Sequence, residues 1–394
     1  MTEDTNNTAT SVADTAVAQQ STAVTAIYGL SGAGKTSLAA TAAEYVWEVH
    51  KKITRFYASD LGGWGNKLIS LIKLGIVQIW YLRNHVDAFA TVERASQGWW
   101  PETIANVAQG LADPQVQLVP PHRTTYTLVC QNGHDAAKYS DAIAVQQAQV
   151  LCPGCQVLVN LTTCLRVDKQ VVQSRGFAKI GANVFDSMTA LNDWGMSDMA
   201  VRGARGELGG ENAALDKVVS DGLVFGMNNR AHYGFVQNRT AGWIANALAI
   251  PGQAIPPVMT FLEEVGTDEG GSPVYGPKIA GSAKTGDVPA WVGNCLHATK
   301  ELNEQNLTEH RLYLATHIDP HDPRAVPHLA KHRGEPLGMP IYLADAPGEA
   351  PWTRFSLKML FVLIDEQLKQ IEARDRAKWP DAPALVAGEA GGAG

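Results

Sequence analysis

Apolar runs and amphipathic stretches alternate along most of the chain. Ala23–Tyr28 is a short apolar run that enters a Gly-rich turn, and Thr36–Lys51 then places Leu38, Ala42, Val46 and Val49 at helical spacing. Ile53–Ala58 and Ile76–Leu82 read as further strands, with Val86–Ala95 helical after the second. Ile180–Phe185 is an apolar run ending in Asp186, and helices are predicted at Glu211–Phe225 and near Phe235–Ala249. Strands are expected at Val258–Leu262, Trp291–His297 and Leu312–His317. A final amphipathic helix, Phe355–Ala373, carries Leu357, Leu360, Phe361 and Ile364 on one face. Such alternation predicts an α/β domain around a mostly parallel sheet with crossover helices. The rhythm lapses over 120–170, which predicts an insertion dividing a core of 23–119 and 171–380. Residues 1–22 read as a disordered arm and 381–394 as a flexible tail.

Composition narrows the class. With 45% hydrophobic residues in 394, the chain has ample material for a core, which excludes a wholly disordered protein. The longest apolar candidate, Leu68–Leu82, is interrupted by Lys73 and Gln78, so no membrane span is expected. Met1–Gln20 is polar and lacks the pattern of a signal peptide. A formal charge of −7 argues against coating nucleic acid through bulk charge, while leaving room for a local basic groove. Of the five cysteines, Cys130, Cys152 and Cys155 lie close to His134, a spacing that points to metal in a reducing compartment and to a cytoplasmic protein. Cys164 and Cys295 read as buried small hydrophobes.

Gly29–Thr36 (GLSGAGKT) fits G-x-x-x-x-G-K-[ST] in full. Its glycines let successive N–H groups point at phosphate oxygens, Lys35 reaches the terminal phosphates, and the Thr36 hydroxyl is placed to ligate Mg²⁺. The expected nucleotide contacts are Gly29, Ser31, Gly32, Ala33, Gly34, Lys35, Thr36 and Ser37. A magnesium-binding acid is needed at the end of an apolar strand, and Asp186 holds that position; capping the following helix is its alternative role. Hydrolysis needs a further acid to orient water. Asp60, after the second strand, is the candidate, with Glu263 and Glu264 competing.

These motifs resemble the RecA-like core ATPases. FDSMTAL around Asp186 looks like the family's second nucleotide motif, and FYASDLGG falls where the family keeps its water-activating acid, a Glu in place of Asp60. VRGARGELGGEN (Val201–Asn212) and VGTDEGGSPVYGPKIAGSAKTGD (Val265–Asp287) sit where its two DNA-binding loops would lie. The strings YGPKIAGSAKTGDVPAWVGNCLH and RLYLATH, with HRG further on, are similar to phage-encoded members associated with single-strand annealing and recombination. The resemblance covers roughly 23–120 and 175–345. It implies a RecA-like P-loop NTPase core: an ATPase forming a homo-oligomeric ring or filament on single-stranded DNA, in the cytoplasm of a bacterial host. Arg202, Arg205, Lys278 and Lys284 are the DNA-contact candidates, and Tyr275 a candidate for stacking on a base. Lys278 or Lys284 completing a neighbouring subunit's ATP site is a further possibility. A packaging or helicase-type motor, and a nucleotide-binding adaptor with little turnover, are the alternative functions.

Cys130, His134, Cys152 and Cys155 form two close pairs separated by residues 135–151, with Asn132-Gly133 and Pro153-Gly154 as turn formers. Four protein ligands leave no open position, so the set predicts a structural Zn²⁺ in a small zinc-ribbon-like module that offers a surface to a protein or nucleic-acid partner. His122 or Cys164 are alternatives to His134. His317, His321, His328 and His332 hint at a second metal, but a Pro-rich segment with no tight ligand pair reads as surface.

Overall fold

Strand β1 (Thr25–Gly29) is buried along its whole length, as a strand covered on both faces must be. The computed structural model describes residues 24–59, 65–104, 115–119, 122–139, 148–160, 165–171, 179–205, 217–220, 223–226, 230–268, 270–302, 308–319, 324–331, 339–346 and 348–379. The main sheet has eleven strands. After β1 come β2 (Ile53–Ala58), β3 (Val77–Tyr81), β4 (Ile180–Asp186), β5 (Val258–Thr267), β6 (Pro273–Pro277) and β7 (Asn294–Leu302). β8 (Thr308–Tyr313), β9 (His317–Ile318), β10 (Pro327–His328) and β11 (Tyr342–Ala344) complete it. The order β3-β2-β4-β5-β1-β7 is parallel throughout. Antiparallel β8 and β11 extend it beyond β7, while the second half of β5 pairs with β6, which carries β10 and then β9. The result is an α/β fold with a largely parallel mixed sheet.

Alternation along each strand divides the core into two layers. Ile27, Val184, Val258 and Leu296 face one side, packed with Leu38 and Val46 of α1 (Lys35–His50), Leu68 of α2 (Asn66–Lys73) and Leu360 of a C-terminal helix. Tyr28, Phe185, Met259 and Cys295 face the other, against Val92 of α3 (His85–Ser96), Leu191 of α4 (Met188–Ala204) and Trp243 of α5 (Arg230–Leu248). The C-terminal helix, α6 (Leu357–Lys378), starts at a Ser356 cap, whose Oγ accepts from Met359 N at 3.1 Å. It docks on α1 through Thr41, fully buried, whose hydroxyl accepts from Leu357 N at 2.8 Å and donates to Leu38 O at 2.6 Å.

Several expected elements shift. Residues 217–226, read as part of a helix, form the antiparallel pair Lys217–Ser220 and Leu223–Gly226. Val218, Val219, Val224 and Phe225 suit a pleated surface, and Asp221-Gly222 between the strands is a two-residue hairpin signal that outweighs the helical spacing. Strand Trp291–His297 begins later, at Asn294, because Val288–Trp291 is a helical turn opened by Pro289. Leu312–His317 is divided between the end of β8 and the start of β9.

The segment read as an insertion builds sheets of its own. His122–Val129 pairs with Asp135–Tyr139 and Leu165–Val171, and Gln149–Leu151 pairs with Leu158–Asn160. Leu128, Cys130, Cys152 and Val159 form its small core, separate from the two main layers. Among the described residues, no helix is long and apolar enough to cross a membrane.

Thr41→Val removes the acceptor of a buried helix-start N–H while keeping shape. We expect a loss of about 1–3 kcal/mol in denaturant-unfolding stability, with Thr41→Ser close to wild type.

Candidate functional site

The chain leaves β1 at Gly29 and turns back into α1. A Cβ at Gly29 would lie 2.1 Å from the Ala298 carbonyl oxygen on β7, so only glycine lets the strands stay paired there. Gly34 has φ +85 and would place a Cβ 3.1 Å from Trp352. Helix α1 starts at Lys35 with no side-chain cap and no acidic residue in its first turn. By contrast, Asn84, Ser187 and Ser356 cap α3, α4 and α6. The first amides of α1 are thus open to an anion, as are those of α2, which also starts without a side-chain cap; the Gly-rich turn and Lys35 are what distinguish α1. Lys35 Nζ donates to Gly29 O at 2.9 Å and Leu30 O at 2.7 Å, folded over its own loop. Burial lowers its pKa, while the charges of Asp186 and Glu263 pull it back up. Ser31 and Ala33 line an adjoining cavity, Gly32 has φ +82, and Ser37 Oγ lies against Gly65, where a Cβ would be 2.5 Å away.

Asp186 ends β4, and its carboxylate reaches the loop. Thr36 Oγ1 donates to Oδ2 at 2.7 Å and Thr260 Oγ1, on the intervening β5, donates to Oδ1. The cap of α4 is Ser187, accepting from Ala190 N at 3.3 Å, so the alternative capping role does not fall to Asp186. The peptide joining Asp186 to Ser187 is cis. Ser59 N donates to Asp186 O at 2.9 Å, and Ser59 Oγ bonds both Ser187 O and Ser187 N, at 2.7 and 2.9 Å. This stitches the exit of β2 to the exit of β4. Asp60 follows Ser59 but lies outside the described residues. Of its competitors, Glu263 lines the cavity beside Leu30 and Ser31. Glu264 instead responds to Lys278 and Asp193, and burial raises its pKa.

Of the cations expected in DNA-binding loops, Arg202 and Arg205 close a helix and Lys278 directly follows a strand. Arg202 is in the last turn of α4 and pairs with Asp198 at 3.7 Å, four residues earlier; Arg205 is that helix's C-cap. The Val265–Asp287 segment is mostly a hairpin of β5 and β6 followed by a 3₁₀ turn at Ser282–Asp287. In it, Lys278 Nζ reaches Asp193 at 3.7 Å, and Lys278 N donates to Leu262 O at 2.7 Å. The Lys284 side chain lies outside the described ones. Tyr275 is stacked on His328 with ring centroids 4.3 Å apart, and Arg324 sits over the Tyr275 ring, so its ring is engaged within the fold.

Cys130, His134, Cys152 and Cys155 converge, with their ligand atoms all within 4.8 Å of one another. Cys130 and His134 flank the turn between Val129 and Asp135, and Cys152 and Cys155 occupy the turn between Leu151 and Leu158. The Cys155–Cys130 sulfur separation is 3.6 Å and Cys152 Sγ to His134 Nδ1 is 3.9 Å. Tetrahedral zinc with Zn–S near 2.3 Å needs sulfurs about 3.8 Å apart, so the set is compatible with a structural zinc. A Cβ at Gly154 would come 2.8 Å from His134 Nδ1, which explains the glycine in the second turn. Desolvation works against the Cys130 thiolate, but the N–H groups of His134 and Asn132 and the neighbouring thiols bring its pKa down to about 7. Of the alternative ligands, His122 starts its strand at the end opposite Cys130, and Cys164 lies outside the described residues. Cys295 is buried, as expected, which pushes its thiol up to about 12.

The histidines read as surface are different. His317 and His328, on β9 and β10, meet His297 of β7, and the three offer ligand atoms within 4.8 Å of one another. His297 was not singled out in the sequence, because 20 and 31 residues of chain separate it from its neighbours (297 to 317, 297 to 328) and only the strand pairing gathers them. His321 and His332 lie outside the described residues.

The sequence matches no known family model and no curated protein.

Replacing Cys152 and Cys155 together by Ser is expected to remove one bound zinc per chain, measured by elemental analysis after gel filtration. The small core around Leu128 and Val159 should then become protease-sensitive while the main sheet stays folded.

Proposed function

We propose that the chain is a Mg²⁺-dependent P-loop ATPase with a RecA-like core, working as a homo-oligomer on single-stranded DNA in phage-type recombination, repair or replication. One observation carries the nucleotide part of this reading: the Thr36 hydroxyl meets the Asp186 carboxylate at 2.7 Å across two strands of the sheet, beside an uncapped helix start and Lys35. The strand order is compatible with a Rossmann- or RecA-like core. A hydroxyl and a carboxylate are hard oxygen donors of the kind Mg²⁺ prefers, so Thr36 and Asp186 fit that ion. When bound, Mg²⁺ would supply charge neutralisation at the transferring phosphate.

In this reading the amides of Gly32–Thr36 hold the phosphate oxygens, and Lys35 swings from its loop carbonyls to the terminal phosphates. Thr260 keeps the Asp186 carboxylate aimed at Thr36. Asp60, one residue beyond the Ser59 stitch, orients the attacking water. The DNA part rests on the family resemblance together with the cations near α4. Arg202–Asp198 and Lys278–Asp193 are partly exposed pairs, and such pairs are worth at most about 1 kcal/mol, so exchange for DNA phosphates is energetically cheap. The cysteine–histidine module, zinc-ribbon-like in its two turns, would dock a partner at the assembly surface.

Phosphate release from ATP should rise on adding single-stranded DNA and vanish in Lys35→Ala. Turnover indifferent to DNA would remove the DNA coupling, and tight ATP binding without phosphate release would replace the enzyme by a nucleotide-dependent assembly protein. Asp186→Asn should leave metal-free nucleotide binding within a few fold of wild type while abolishing its strengthening by Mg²⁺, read by nucleotide titration with and without the ion.

A further inference from the structure

We propose that His297, His317 and His328 form a second metal site, a three-imidazole centre for a zinc-type divalent ion, held in place by Glu263 and distinct from the cysteine set. The three ring systems come from three strands, β7, β9 and β10, and their ligand atoms lie within 4.8 Å of one another. His297 Nδ1 and His317 Nε2 are 3.3 Å apart. Two nitrogens on a tetrahedral ion with bonds of 2.0–2.1 Å would be about 3.3–3.4 Å apart, so this edge already has the required length.

Behind the rings, one buried carboxylate serves two of them. Glu263 Oε2 is 3.1 Å from His297 Nε2, and Glu263 Oε1 is 3.4 Å from His328 Nδ1. A carboxylate that binds the far nitrogen of a histidine keeps its proton there and turns the other nitrogen's lone pair toward the metal, the usual second layer of a histidine metal site. Here it places the lone pair of His297 on Nδ1, facing His317 Nε2, and holds His328 beside it at ion-pair distance. Tyr28 stacked on His297 (4.7 Å) and Tyr275 on His328 (4.3 Å) fix the ring planes. Imidazole donors favour zinc and its neighbours over magnesium, which separates this site chemically from the Thr36–Asp186 pair.

Three protein ligands leave a fourth position open, as in a site that keeps a water or takes a ligand oxygen. That position has somewhere to face. Glu263 and the three histidines line a cavity of about 270 Å³ that also includes Leu30 and Ser31 of the phosphate loop. Water or a phosphate oxygen is therefore the chemical class of the fourth ligand.

The test uses the full-length chain and reads metal, so it stands or falls independently of ATP turnover. Wild type should hold two zinc ions per chain, and His317→Ala, at the least buried of the three rings, should hold one. Glu263→Gln should weaken the second ion by roughly 10–100-fold without removing its ligands. In a chain stripped of metal and reloaded with one equivalent of zinc, which the thiolate-rich set takes first, added Co²⁺ should bind one further equivalent with ligand-field bands but no thiolate charge-transfer absorption. This titration needs no variant. Absence of a further Co²⁺ equivalent, or the same zinc content in wild type and a folded His317→Ala chain, would overturn the proposal.

Discussion

A carboxylate at the end of a buried strand has to be satisfied locally, and the Asp186 side chain is satisfied by two hydroxyls, from Thr36 and Thr260. A charge left without such partners in a largely apolar interior would cost several kcal/mol. Each hydroxyl sits on a different element: the first turn of α1 and strand β5. The contact therefore sets the height of the phosphate loop against β4, although β4 and β1 are not adjacent in the sheet. The remaining polar convergence follows from the same layout. Parallel strands covered on both faces leave their carboxyl ends as the place where polar side chains gather, and Ser59, Asp186 and Glu263 all fall there.

How legible each part was depends on whether its residues are neighbours in sequence. The phosphate loop is contiguous, and its glycines have local steric reasons. The cysteine–histidine set was equally visible, because each close pair is confined to one turn and only two turns had to meet. Asp186 was found through its apolar strand and the motif after it. The three-histidine cluster had no local signature. Its members are brought together by the register of β10 with β6 and β9, Tyr275 opposite His328 and His317 opposite His328, which no spacing rule encodes.

The misplaced elements have similar explanations. The strand pair at 217–220 and 223–226 carries apolar residues compatible with either period, and its β-branched and aromatic residues favour the pleated one. Of the cations placed in DNA-binding loops, Arg202 belongs to the last turn of α4, because that helix continues through Gly195 and Gly203 to Ala204; Lys278 directly follows β6 and Lys284 falls within the 3₁₀ segment. Gly195 serves packing in α4: a Cβ would come 2.8 Å from His85 Nε2 on α3. The absence of a side chain there is what lets the two helices approach.

Strand β5 has an unusual division of labour. Its first half is an interior strand between β1 and β4, and its second half pairs outward with β6. Thr260 belongs to the former and Glu263 to the latter, three residues along, or about 10 Å at the rise of an extended chain. The oxygen-donor pair and the imidazole group are thus two marks on one stiff ruler. Their spacing is graduated by peptide geometry and steadied by the ladder to β1, which runs from Val258 to Leu262 over most of that interval, so drift of the surrounding turns changes it little.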